Sequence, residues 1–272
     1  MFGSQTHETE EITASIIDAF SAFFRSVVIM LDNSDDAQII FETLNSRGTP
    51  LLASDLMRNY IFLRAELNHE TVDDLYEKYW SQFEDRFWTI EEKQGRIKKP
   101  RLEYLMTNVL AEKTASEVQL NKIYQEYLAW INFNAHAMTV EQELREFDRL
   151  ATVYRTLVDA QEESLLGAFA RFLRVFDVTT VFPVVMAVWK EGPEEQREEI
   201  LSDLESFIIR RLICGRGTKS YTRFFLSVIK ELRPKGFAAH AFRDVLLHQT
   251  SQGSDWPADE EFRYKWLGSV RK

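Results

Sequence analysis

The sequence predicts a mainly α protein: a multi-helical bundle or array of about ten helices with one short strand near the N-terminus. Apolar residues recur at i, i+3, i+4 and i+7 in one segment after another, which puts them on one side of a helix. Phenylalanine is abundant, at 20, while Gly (10) and Pro (6) are too scarce for a turn-rich β architecture. A single run, SVVIML at 26–31, has the β-branched content of a strand.

The first helix is expected over 8–24, where Ile12, Ile16, Phe20 and Phe23 share a stripe behind Glu8, Glu10 and Glu11. The strand 26–31 follows and needs hydrogen-bonding partners. These come either from a second copy in a homo-oligomer or from chain outside this sequence. Ser34 then N-caps a helix carrying Ala37, Ile40, Phe41 and Leu44. After a polar loop, Leu56, Tyr60, Leu63 and Leu67 form the next apolar stripe, and Val72, Leu75, Tyr76, Tyr79, Phe83 and Phe87 the one after. Gly95 and Pro100 bracket a basic connection. Beyond it come Leu102, Leu105, Met106 and Val109, then Leu120, Ile123, Tyr124, Tyr127 and Ile131 behind a Thr114…Glu117 capping box. A second box, Thr139…Gln142, precedes Leu144, Phe147, Ala151, Tyr154 and Val158. VFPVVMAVW (181–189) is apolar all round and predicts a central buried helix with Pro183 in its first turn, a strand being the alternative. Pro193 opens a long helix with Ile200, Leu204, Phe207 and Ile208 inward, and Gly215 ends it. Tyr221, Phe224, Phe225, Val228 and Leu232 mark another, and two shorter helices complete the chain.

The net charge of −10 argues against a surface that coats nucleic acid. Against it stand two basic islands, 93–101 (KQGRIKKPR) and 210–235, each readable as a solvated face or as a weak DNA contact. One cysteine, Cys214, excludes an internal disulfide and is expected to be a buried reduced thiol. The five histidines lack ligand spacing, so no metal site is expected, and no nucleophile motif designates a catalytic residue. Most carboxylates are read as solvated helix-face groups. Neither a leader nor a membrane-length apolar run occurs, which predicts a cytoplasmic chain with no membrane partner.

Two loops carry candidate functional residues. Between residues 42 and 48, Glu42, Asn45 and Arg47 gather an acceptor, an amide and a guanidinium about Gly48, suited to a phosphate, a base edge or another loop. Asn45 and Gly48 are equally suited to a plain helix end. Between 214 and 220, CGRGTKS offers either phosphate contacts (Arg216 and Lys219, with Arg210 and Arg211 just before) or a C-cap at Gly215 followed by an N-cap at Thr218 or Ser220.

FETLNSRGTPLLASDLMRNY (41–60) resembles the FE-x-x-N-x-x-G-x-x-L segment of GmrSD-type restriction endonucleases, through Phe41, Glu42, Asn45, Gly48 and Leu51. FIIRRLICGRGTKSYTRFF (207–225) is similar to that family's middle helical region, with Arg210, Arg211 and Cys214 at matching positions. DWPADEEFRYKW (255–266) is similar to the segment preceding its HNH nuclease domain. The resemblance implies a modification-dependent, NTP-linked DNA-cleaving defence enzyme. Its N-terminal domain would be ParB-like, and NTP and a divalent metal would be cofactors of the whole enzyme. The family's DGQQR motif and HNH domain do not occur in residues 1–272. The expectation is therefore a remnant of the N-terminal domain over 1–66 and a helical middle domain over 67–272. Such a chain would bind no cofactor alone, would be catalytically incomplete, and would work with the missing N-terminal and HNH domains. A stand-alone helical interaction module is the alternative.

Overall fold

Apolar periodicity becomes helix almost throughout the computed structural model, which describes residues 12, 13, 15, 16, 52–94, 97–134, 137–161, 163–248 and 253–270. The chain forms two compact units, Met1–Leu51 and Leu52–Lys272. In the first unit residues 12, 13, 15 and 16 are helical, as expected, with Ile12 and Ile16 exposed. The expected strand at 26–31, the helix start at Ser34 and the loop at 45–50 lie outside the described residues.

The second unit begins with α1 (Ala53–Leu67). Its buried side is not the expected one. Met57, Ile61, Arg64 and Ala65 face inward, while Leu63 is 50% and Leu67 69% exposed. The stripe is displaced because Arg64, polar by pattern, has an interior partner. Next, α2 (Val72–Leu75) runs into a π-helical turn, Tyr76–Trp80, and a 3-10 turn, Ser81–Glu84. The extra residue in a π turn lets consecutive Tyr79 and Trp80 both point into the core. A short α3 (Arg86–Thr89) buries Trp88.

The basic connection is a two-stranded antiparallel hairpin, β1 (Glu91–Gln94) and β2 (Ile97–Pro100), which the periodicity did not predict. Lys93 and Lys98 lie directly opposite each other. That repulsion is offset by Lys98 pairing with Glu91 at 2.6 Å and Arg101 with Glu92 at 2.5 Å. The Tyr104 hydroxyl reaches the Ile97 carbonyl at 3.0 Å and anchors the hairpin on the next helix.

That helix is α4 (Arg101–Thr114), followed by α5 (Ile123–Asn134) and α6 (Val140–Asp159). Thr139 and Gln142 make the expected capping box at α6, with the Gln142 N–H donating to Thr139 Oγ1 at 3.2 Å. Thr114 does not cap α5. It ends α4, and its hydroxyl donates to the Leu110 carbonyl, leaving a 3-10 turn, Leu120–Lys122, to lead into α5. After α7 (Leu165–Phe176), α8 (Phe182–Glu191) is the central helix, and every residue from Phe182 to Val188 is buried. Pro183 sits in its first turn, where its missing N–H costs nothing. Pro193 precedes a 3-10 turn, Glu194–Gln196, and then α9 (Arg197–Ile213). Gly215, with φ +70°, takes the left-handed conformation after that helix. The chain continues as α10 (Tyr221–Leu232), α11 (Ala239–Leu247) and α12 (Asp259–Val270). All five predicted core residues of α10 are buried. Among the described residues no helix is long and apolar enough to cross a membrane.

Candidate functional site

Four carboxylates are exceptions to the expectation that such groups lie mainly on solvated faces. Glu103, Glu112, Glu143 and Asp203 are buried, each beside a cation. Glu112 of α4 accepts from Arg233 at 2.7 Å and from Lys190 at 3.3 Å, and Lys190 reaches Glu146 of α6 at 3.2 Å. Helices α4, α6 and α8 and the residue just after α10 are thereby tied together. Burial raises the Glu112 carboxyl against the pull of Lys190 and Arg233. Glu103 has its cation four residues away at Lys99, but Glu112, Glu143 and Asp203 were missed because their partners lie 40 or more residues away, where local periodicity carries no information.

Two such arrangements hold whole segments in place. The first fixes α1. At its N-terminal end the Ala53 N–H donates to Glu103 Oε1 at 2.7 Å. Near its other end Arg64 Nη1 donates to Glu143 Oε2 at 2.7 Å and to Tyr127 Oη at 2.9 Å, while Tyr127 donates to Glu143 Oε1 at 2.6 Å. Just past α1, Glu70 receives the first N–H groups of α6, those of Val140 and Glu141, both at 2.9 Å. Burial lowers the Arg64 guanidinium, but Glu143 and Tyr127 outweigh it and hold it raised. Burial and the neighbouring Glu143 push the Tyr127 phenol far up, so it stays a donor. A cavity of about 30 Å³, room for a single water, lies among Met57, Ile61, Trp80, Tyr127 and Glu143.

The second arrangement clasps the segment from residue 253 into α12. Arg211 is 0% exposed, with its guanidinium over the rings of Phe207 and Tyr221. It donates to the Asp255 carbonyl at 2.8 Å, to Asp255 Oδ1 at 2.9 Å, and to the carbonyls of Gly253 at 3.0 Å and Gly217 at 3.3 Å. Arg216 Nε holds Asp255 Oδ2 at 2.9 Å and its Nη1 pairs with Glu261 at 3.0 Å. Arg210 pairs with Asp259 at 2.6 Å and donates to the Pro257 carbonyl at 3.1 Å. Burial pushes the Asp255 carboxyl up, but Arg216 and Arg211 outweigh it and leave it lowered. Ser220 occupies the N-cap position of α10, yet its hydroxyl donates to the Gly253 carbonyl and makes no cap.

Of the four predicted phosphate-contact residues, the structure therefore brings three together, Arg210, Arg211 and Arg216, each already bound to a carboxylate. Lys219 is exposed on the same loop. Glu42, Asn45, Arg47 and Gly48 lie outside the described residues. Cys214 is buried, and burial raises its thiol, as for an inert side chain. No cluster of His, Cys, Asp or Glu suited to a metal ion occurs among the described residues. The clasp residues Asp255, Asp259 and Glu261 were missed as partners. The signal was present as an acidic DWPADEE run of opposite sign to the basic 210–216 stretch.

A family model described as the GmrSD restriction endonuclease, N-terminal domain, matches residues 3–62. That segment is therefore similar to the N-terminal domain of GmrSD-type restriction endonucleases. The match covers less than a quarter of the 272 residues, and the two downstream resemblances fall outside it. No curated protein and no solved structure matches the chain. The GmrSD-type match ends inside α1, so residues 53–62 belong both to the family match and to the helical unit.

Proposed function

We propose that this chain serves a GmrSD-like, modification-dependent restriction system in antiphage defence. Its helical unit couples an NTP-binding N-terminal module to an HNH nuclease module and is catalytically incomplete by itself. The observation that carries this reading is the double membership of α1. A helix that continues the GmrSD-type segment is gripped at both ends by the helical unit, through Glu103 at Ala53 and through Glu143 and Tyr127 at Arg64. A displacement of α1 must break the Arg64–Glu143 pair or drag α6 with it, which is how a state of one module reaches the other. The clasp at Arg210, Arg211 and Arg216 holds the far segment in the same way.

The test is turnover by the purified chain: NTP hydrolysis and cleavage of DNA carrying modified bases, each with a divalent metal. Neither is expected, and robust metal-dependent turnover overturns the reading. Reading the genomic frame on both sides should reveal DGQQR upstream and HNH downstream.

The rival, a stand-alone interaction module without enzymatic activity, draws on α12, where Tyr264 is 77% exposed and Leu267 lies open beside it. Stop codons at both ends of the frame would favour it. For DNA, the cations to test are the exposed Lys219, Arg223, Lys230 and Lys235. We expect weak affinity that falls severalfold or more between about 50 and 200 mM salt. Their replacement by Gln should abolish it, and binding indifferent to salt removes the DNA contact from the proposal.

A further inference from the structure

A groove of about 550 Å³ opens between α6, the start of α7, the end of α8 and the turn before α9. Arg149, Thr152, Ser164, Leu165, Trp189 and Arg197 line it. Its two arginines differ from the unit's carboxylate-paired arginines in sharing one neutral acceptor. Arg64, Arg211, Arg216, Arg233 and Arg243 each have a carboxylate oxygen at 2.9 Å or closer. Arg149 makes no ion pair among the described residues, and its Nη2 donates to the Trp189 carbonyl at 2.7 Å. Arg197 Nη2 donates to that same carbonyl at 3.2 Å. The two nitrogens are therefore no more than about 6 Å apart, where like charges repel. Arg197 Nε is buried without an acceptor. The one acid on the lining, Glu194, stands 3.6 Å from Arg197 Nη1 but is 86% exposed, so water and salt screen most of its effect.

Two guanidinium forks sharing one neutral acceptor form a local excess of positive charge with donors to spare. An anion with several acceptor oxygens can take up the remaining donors of both forks at once, and a phosphoryl group has three. Leu165 and Trp189 add an apolar wall beside the cations, and the volume falls in the range of small-ligand sites. We infer that this groove binds a small phosphate monoester, the phosphoryl group bridging Arg149 and Arg197 and an apolar or aromatic body lying against Leu165 and Trp189. The site lies wholly within the helical unit and stands whether or not the chain serves DNA restriction.

Titration calorimetry of the purified chain at low salt, with inorganic phosphate and phenyl phosphate as probes, tests it. Saturable binding of both is expected, phenyl phosphate the tighter. Arg149→Gln, which alters an exposed side chain whose circular dichroism control should be unchanged, weakens both by about tenfold, the scale of one lost charge-assisted contact. Glu194→Gln removes a largely screened acid and tightens both by no more than about twofold. No saturable binding of either probe, or affinities that Arg149→Gln leaves unmoved, overturns the site. Equal affinity for the two probes overturns the apolar wall and leaves phosphate recognition alone.

Discussion

Arg64 and Arg211 are both buried arginines that hold a segment in place, yet the two sites are built differently. Arg64 meets one buried carboxylate and one phenol amid apolar side chains. Arg211 meets one carboxylate and the backbone carbonyls of Gly217, Gly253 and Asp255, and its neighbours Arg210 and Arg216 reach outward to Asp259 and Glu261. At Arg64 the load rests on one buried charge pair and one phenol. At α12 it is spread over many contacts, several of them wet. The α1 site should fail as a unit and ignore salt. The α12 site should loosen in steps and respond to salt and acid.

The sharpest way to break the contrast is Arg64→Met. It leaves Glu143 buried with only Tyr127, and a loss of about 3–5 kcal/mol is expected in urea unfolding. Adding Glu143→Leu should restore much of it. A single-mutant loss under about 1 kcal/mol means that α1 is not held by this pair. Second is Asp255→Asn, which strips the charge from the bonds to Arg211 and Arg216. A local cost of about 1.5–3 kcal/mol is expected, read as faster hydrogen exchange over 253–262 with α1 amides unchanged.

Acid should separate the regions next. The folded Asp255 carboxyl is lowered, so its stabilisation is fully present above the unfolded value of about 3.9 and is lost as pH falls through the folded one. Fluorescence of Trp256, which packs against Phe207 and Arg210, should report release of the segment below about pH 4, ahead of global unfolding. The smallest effect is Asp259→Asn. With the Asp259 side chain 72% exposed, its pair with Arg210 should contribute under about 1 kcal/mol and vanish in high salt.

Helix faces were legible wherever apolar side chains alone decided burial. Phe224, Phe225 and Val228 in α10 and the whole of α8 from Phe182 to Val188 were read correctly. The reading failed where charge decided. Arg64 is buried because Glu143 lies 79 residues away, and Leu63 was read as core in its stead. The hairpin at 91–100 shows no apolar alternation, since ion pairs across and beside it and Tyr104 hold it. In the clasp the basic half was identified and the acidic half passed over, because complementary runs about 40 residues apart announce a contact only once the chain is folded.

Similarity and packing draw different borders through this chain. An exchange of segments between relatives made at residue 62 would split α1 between two parents. The recipient would then have to supply its own match for Met57 and Ile61 while Arg64 stayed behind with Glu143. A crossover placed at the 51/52 junction would pass the whole helix on with its partners, and chimaeras joined there are the ones that should fold.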